Sequence, residues 1–271
     1  MSADQNGIHP TEVWASGDVY ETYMGRWSRL VADDFLAWLS VTPGNRWLDV
    51  GCGTGALCQT ILRLAAPNHV KGVDPSDGYI AHAKEHVQDE RAFFEVADAM
   101  ALPDETASFD AVVSGLALNF IPKPDRAVDE MVRVVKPDGI VAAYVWDYSG
   151  RMELMRYFWD AAVALDPNAA NLDEGRRFPL CQPRPLTELF QHAGLMDVAV
   201  RAIDVATVFI DFDDYWLRFL GGQAPAPRYA MSLSEENRAA LRERIRAGLP
   251  VALDGSIPLV ARAWAVRGVR Q

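Results

Sequence analysis

Nine residues, Trp47-Leu48-Asp49-Val50-Gly51-Cys52-Gly53-Thr54-Gly55, constrain this chain more than any other stretch. A short apolar run ends in an acid and then three glycines at alternate positions. Ala56, Leu57, Ile61, Leu62, Leu64 and Ala65 follow at helical spacing. The pattern reads as strand, tight turn, helix. Glycines at such a turn let the backbone bend sharply and let a ligand approach without meeting a Cβ. The first turn of the helix offers N–H groups that have no intrahelical partner.

Three ligand classes use a turn of this kind. A phosphate-binding P-loop needs a Lys after its last glycine, and Ala56 stands there instead. A dinucleotide fold uses G-x-G-x-x-G, with the pyrophosphate on the helix N-terminus. Here the spacing is G-x-G-x-G, and Asp49 ends the strand two residues before the first glycine. A carboxylate there repels a pyrophosphate, by roughly 4 kcal/mol for bare charges about 4 Å apart at an effective dielectric of ~20. The same carboxylate suits a ligand that carries an ammonium or sulfonium charge. S-adenosylmethionine carries both.

Leu48-Asp49-Val50-Gly51-Cys52-Gly53-Thr54-Gly55 resembles the first motif of the class I S-adenosylmethionine-dependent methyltransferases, and the chain is similar to their UbiE-like small-molecule group. The motifs cover residues 45–147, and weaker similarity extends toward both termini. The resemblance implies an α/β fold: a Rossmann-like, doubly wound, seven-stranded sheet, mostly parallel with the last strand antiparallel. The cofactor, S-adenosyl-L-methionine, would sit at the strand ends, with Asp49, Gly51, Cys52 and Gly53 around the bend.

Further along, His69–Asp74 reads as a short second strand. Asp74 ends it 19 residues after Gly55, where an acid can accept both ribose hydroxyls. Pro75 and Ser76 follow and start a helix, so Asp74 also reads as a helix N-cap. Arg91–Val96 is a third strand, and Asp98 follows it as Asp74 follows the second. The resemblance implies that Asp98 accepts from the adenine amino group, that Ala99 donates its backbone N–H to the ring, and that Met100 lies beside them. A turn-forming Asp before Leu102-Pro103 is the plainer reading of Asp98. Phe109–Ser114 is a buried fourth strand. Its tip, Ser114 to Asn119, lies where a doubly wound sheet reverses its order and ligands gather. The tip lacks the Asn/Asp-Pro-Pro-aromatic string that the resemblance associates with planar nitrogen acceptors. The expected acceptor is therefore a small molecule.

Residues 18–39 carry Tyr20, Tyr23, Met24, Trp27, Leu30, Val31, Phe35, Trp38 and Leu39 at helical spacing, mostly for core packing. The resemblance implies that this helix lies over the cofactor, with Tyr20 and Arg26 near its methionine end. Arg26 could hold a carboxylate through paired hydrogen bonds. The fifth strand, Ile140–Trp146, follows a helix over 125–135 and the turn Lys136-Pro137-Asp138-Gly139. Val198–Val208 and Val260–Val266 are expected to add a hairpin-like antiparallel edge. The chain then reads as one domain, with a core over 40–147, 183–208 and 256–268. Insertions over 148–182 and 209–255 form a helical lid. Trp14, Trp146, Trp159, Tyr215 and Trp216 either serve the lid or simply pack it onto the core.

His82-Ala83-Lys84-Glu85-His86 matches H-x-x-E-H, an inverted zinc-protease string. Ile80, Ala81, Ala83 and Val87 form the apolar side of that helix, so both histidines fall on the polar side and no metal is expected. Half the residues are hydrophobic, which suits a substantial core. A net charge of −11 disfavours non-specific binding to nucleic acid or an anionic membrane. Cys52, Cys58 and Cys181 show no ligand spacing and suggest a reducing compartment. The polar N-terminus and the lack of any run of about 18 apolar residues give the expectation of a soluble, cytoplasmic protein. The sequence leaves monomer and homodimer equally open. It marks no catalytic base, although Asp147, Tyr148 and His9 are placed for one. A cofactor-binding module without transfer activity stays open beside the enzyme reading.

Overall fold

The computed structural model of the 271-residue chain describes residues 26–221 and 224–271. Seven strands form one sheet: β1 (Arg46–Val50), β2 (His69–Asp74), β3 (Ala92–Val96), β4 (Phe109–Gly115), β5 (Val135–Trp146), β6 (Met196–Phe209) and β7 (Ile257–Val269). Their spatial order is β3-β2-β1-β4-β5-β7-β6. The first five run parallel, and β7 runs antiparallel to both β5 and β6. The order reverses between β1 and β4, so the tips of those two strands open a crevice at the switch point.

Register fixes which side chains share a face, because adjacent paired residues point the same way. Asp49 pairs with Gly72 on one side and Val113 on the other. Asp74 pairs with Val96. The strands nearest the switch point are buried on both faces, which is why they read as apolar runs without alternation.

Helix α1 (Arg26–Leu39) packs on α2 (Ala56–Leu64) and on β6. Its Val31, Phe35 and Leu39 are fully buried, as their helical spacing predicts. Helix α3 (Asp77–His86) starts at Ser76, whose hydroxyl accepts from the Tyr79 amide at 3.3 Å. Ser76 is thus the N-cap and Asp74 is not. His82 and His86 stack at 3.9 Å on the solvent side of α3, and His86 Nδ1 lies 2.9 Å from the His82 carbonyl. Helix α4 (Pro124–Val134) buries Ala127, Val128 and Met131 under the sheet.

The structure differs from the sequence reading at several places. Lys136–Gly139 does not end before β5 but bulges out within it: Val135 faces Phe109, and the next pair is Ile140 with Ala111. Asp138 adopts a positive φ of 63° there, and its amide donates to the Arg270 carbonyl at 2.8 Å. The β6–β7 ribbon is the antiparallel edge expected, with β7 beside β5 and β6 outermost.

The connection from β5 to β6 carries α5 (Glu153–Leu165), a 3₁₀ turn (Pro167–Asn171), α6 (Glu174–Arg177) and α7 (Pro183–His192). Residues 167–183 look irregular in sequence. They are ordered by buried acids: Asp173 pairs with Arg156 at 2.7 Å and caps Gly175 at 2.8 Å, and Glu174 accepts from the Trp159 indole. Beyond β6 come α8 (Phe212–Leu217), α9 (Pro225–Ser232) and α10 (Glu235–Gly248). Helix α9 stands where the Gly/Pro-rich composition suggests a flexible connector. Its prolines occupy the first turn, where a missing N–H costs nothing.

Candidate functional site

The bend after β1 is braced from within. The Gly51 and Cys52 amides both donate to the Val73 carbonyl, at 2.8 and 2.9 Å, and the Gly55 amide donates to the Cys52 carbonyl at 2.9 Å. The Gly53 amide donates to Asp74 Oδ2 at 3.1 Å. These N–H groups therefore hold the loop's shape, and the free donors are those of the first turn of α2. All three glycines adopt positive φ: 75° at Gly51, 51° at Gly53 and 87° at Gly55. A Cβ on Gly51 would lie 2.5 Å from the Ala117 Cβ, whereas one on Gly53 would meet none of the described residues within 4 Å. Gly51 thus lets the tip of β4 close on the bend, and Gly53 borders open space where a ligand can lie. The Cys52 side chain is buried beside Gly72, so this residue can meet a ligand through its backbone.

Asp74 closes the crevice from the β2 side. Its Oδ1 accepts from the Ser76 amide at 2.9 Å, and its Oδ2 accepts from Gly53. Each carboxylate oxygen keeps a further lone pair for a ligand hydroxyl. Burial pushes the Asp74 carboxyl above its ordinary value, against the pull of those two amides. Tyr79 stands near enough that burial and the Asp74 charge push its phenol up to about 12. Pro75 is exposed at the start of α3. The Ala97 amide donates to the Asp74 carbonyl at 3.1 Å, which brings the end of β3 alongside. Asp98 is exposed there and accepts from the Met100 amide at 2.8 Å, while Ala99 is buried between them. The turn role of Asp98 is therefore real, and it leaves Oδ2 uncommitted.

Asp49 lies deeper than a ligand-facing role implies. It is 1 % exposed, and the Cys58 thiol donates to its Oδ2 at 3.3 Å. Its Oδ1 has no partner among the described residues. Burial pushes the carboxyl up to about 7; the Cys58 hydrogen bond opposes this, and the Asp74 charge adds to it. Burial and these two acids also push the Cys52 thiol up, and burial with Asp49 does the same to Cys58. A positive charge in the crevice would relieve the cost of ionising Asp49.

The tip of β4 is the other wall. Ser114 is fully buried, and its hydroxyl has no partner among the described residues. Leu116 adopts a positive φ of 58°, and its amide donates to the Tyr144 carbonyl at 2.8 Å. A branched residue held there stores strain, as segments at working sites often do. The twist delivers Ala117 onto Gly51 and leads into a 3₁₀ turn, Leu118–Phe120. Both amide atoms of Asn119 are shut off from solvent and have no partner among the described residues. Phe120 packs edge-on against Phe178 at 5.1 Å, and Tyr148 lies 5.6 Å from Phe178.

Of the sequence-predicted residues, the structure gathers Asp49, Gly51, Cys52, Gly53, Asp74, Pro75, Ser76, Asp98, Ala99, Met100 and Ser114 around the tips of four adjacent strands. Tyr20, Trp14 and His9 lie outside the described residues, and Arg26 opens α1 at their edge. Asp147 serves the turn after β5: its Oδ2 accepts from the Arg151 amide at 2.9 Å and abuts Gly150. Trp146, Trp159, Tyr215 and Trp216 are buried and pack the helices onto the sheet; the Tyr215 hydroxyl donates to the Leu154 carbonyl at 2.8 Å. Sequence reasoning passed over Phe120 and Phe178, which no motif or periodic pattern marks.

Residues 48–143 match the sequence model of a family described as a methyltransferase domain. The chain is 38 % identical over 107 residues to the demethylmenaquinone methyltransferase of Bacillus cytotoxicus, covering 38 % of this chain and 45 % of that protein. It is 33 % identical over 118 residues to the 27-O-demethylrifamycin SV methyltransferase of Amycolatopsis mediterranei, covering 41 % of this chain and 42 % of that one. The matched part spans about half the length of these curated relatives. Among solved structures, a Haemonchus contortus phosphoethanolamine N-methyltransferase in complex with S-adenosylhomocysteine superposes with a TM-score of 0.60 at 19 % identity, over 93 % of this chain and 56 % of that one. The YcgJ protein of Bacillus subtilis superposes with a TM-score of 0.59 at 18 % identity, over 89 % of this chain and 98 % of that one. These structures share the Rossmann-like fold.

Proposed function

We propose that this chain, whose residues 48–143 match a methyltransferase domain, is a class I S-adenosylmethionine-dependent methyltransferase that binds S-adenosyl-L-methionine at the β1–β4 switch point and passes its methyl group to a small molecule. The observation that carries the reading is the Asp74 carboxylate braced across the glycine bend, beside open space at Gly53. In this reading Asp74 takes the ribose hydroxyls, Asp98 and Ala99 take the adenine edge, and Met100 and Ser114 border the cofactor. Gly51, Cys52 and Gly53 give the backbone its close approach. Asp49 acts from beneath the bend through its charge, and Tyr20 and Arg26 belong to the methionine end.

When bound, the cofactor supplies an activated methyl group on a positively charged sulfur. The chain then has to align the acceptor with it and exclude water, which are the effects that dominate a transfer of this type. Residues 148–182 and 209–255 would form the cover that does so. The names of the relatives favour transfer over a silent binding module. The acceptor is a small organic molecule in this reading, and the net charge of −11 disfavours nucleic acid. A crystal structure with S-adenosylhomocysteine tests the assignment. The expected result is ribose oxygens on Asp74 and the adenine edge on Asp98–Ala99. A nucleoside bound elsewhere, or turned end for end, contradicts it.

A further inference from the structure

His82 and His86 stand four residues apart on α3, so they share one side of the helix. Ile80 and Ala83 anchor the other side in the core, while His82 is half-buried and His86 is exposed. The two imidazoles are not independent. Their centroids are 3.9 Å apart, and their planes are within 14° of parallel. His86 Nδ1 lies 2.9 Å from the His82 carbonyl oxygen. A carbonyl only accepts, so Nδ1 carries a proton, and in the neutral ring Nε2 keeps the free lone pair. Histidines that ligate metals commonly donate their other ring N–H to a carbonyl in this way, which fixes the tautomer and the direction of the ring. A zinc-sized ion sits about 2.0–2.1 Å from an imidazole nitrogen, so two nitrogens on one ion are at most about 4 Å apart. The spacing of the stacked rings falls within that reach.

We propose that His82 and His86 together chelate one divalent transition-metal ion on α3, with copper(II) preferred over zinc(II). Among the described residues, no group of three or more His, Cys, Asp or Glu side chains is placed to hold an ion. Two imidazoles therefore supply the protein's share of the ligands and water supplies the rest. Such a site is open and exchangeable, unlike a closed structural one. Imidazole suits copper, nickel and zinc alike. With no enclosing cage to override it, affinity follows the intrinsic order, which places copper(II) highest. The sequence reading expects no metal because both rings face water, yet facing water is no obstacle to an ion that keeps its own waters. The ion would span the second half of the helix whose N-cap, Ser76, donates its amide to Asp74. The proposal does not depend on the methyl-transfer reading, since neither histidine is among the residues gathered at the strand tips.

The test is calorimetric titration of the untagged full chain with copper(II) chloride and, separately, with zinc(II) chloride, in a buffer that does not bind metal. The account expects one equivalent of copper(II) with a dissociation constant in the micromolar range, held more tightly than zinc(II). His82→Gln and His86→Gln should each weaken copper(II) at least ten-fold, because one imidazole alone is no chelate. Gln is a good helix former, so far-ultraviolet circular dichroism should be unchanged in both variants. Pulsed electron paramagnetic resonance on copper-loaded wild type should show two imidazoles at the ion, and this measurement decides the matter even if a variant folds poorly. A loss of less than ten-fold in either single variant overturns the proposal, because the copper is then an adventitious ion only, held elsewhere or by one histidine. A wild-type spectrum with fewer than two imidazoles overturns it too. Zinc(II) bound as tightly as copper(II), or more tightly, overturns the stated preference.

Discussion

The Gly53 amide donates to the Asp74 carboxylate at 3.1 Å, tying the bend after β1 to the tip of β2. One side chain therefore both shapes the bend and faces the crevice. Asp74→Ala removes the brace and the ribose acceptor together. We expect cofactor affinity to fall by more than ten-fold, or at least about 1.4 kcal/mol. Calorimetry with S-adenosylhomocysteine on the folded variant checks this. An unchanged affinity removes the ribose assignment.

Gly51→Ala is expected to be destabilising by about 1–3 kcal/mol, since φ is positive and the new Cβ meets Ala117 at 2.5 Å. Ala117→Gly in the same chain relieves the clash and leaves the φ strain. Urea melts of the two single variants and the double variant should therefore show partial rescue. Additive losses would mean that the two residues do not press on each other.

Asp49 sets a pH dependence of known sign. Burial pushes its carboxyl up to about 7 in the folded chain, against about 4 for an unfolded aspartate, so between those values the folded chain keeps a proton that the unfolded chain has lost. This group's contribution is complete below about pH 4 and declines as pH rises toward 7, at up to about 1.4 kcal/mol per unit. Asn at this position cannot ionise. The stability difference, Asp49→Asn minus wild type, should therefore grow in favour of the variant from pH 5 to pH 8. Urea melts at both pH values measure it, and a difference that is flat or falls with pH contradicts the burial argument.

The three thiols should be inert in the folded chain. All are buried, and burial pushes each pKa up, so little thiolate is present near neutral pH. Titration with a disulfide reagent should give no fast reaction until denaturant is added, and then three equivalents. A fast-reacting thiol in the native protein would place Cys52 nearer to solvent than described.

The bend and Asp74 were legible because their signals are local. Glycine spacing and a change of hydrophobic period need no knowledge of distant neighbours. The seven strands and their mostly parallel run were legible through the resemblance, whereas their order was not, since nothing near β7 says that it will insert beside β5. Helix α9 was hidden by its composition: Pro225 and Pro227 look like breakers until they are seen in a first turn. Asp173 and Glu174 looked like solvated charges, and their burial depends on Arg156 and Trp159. Asn119 and Phe178 carry no periodic or motif signal. Their meaning comes from what stands beside them, which is a property of the folded chain.

The most direct test of the central claim is calorimetric titration of the full chain with S-adenosylhomocysteine and, separately, with NADH. The account predicts saturable one-to-one binding of S-adenosylhomocysteine with a dissociation constant in the micromolar range, about −8 kcal/mol, and no heat with NADH. Binding of NADH with none of S-adenosylhomocysteine would contradict it.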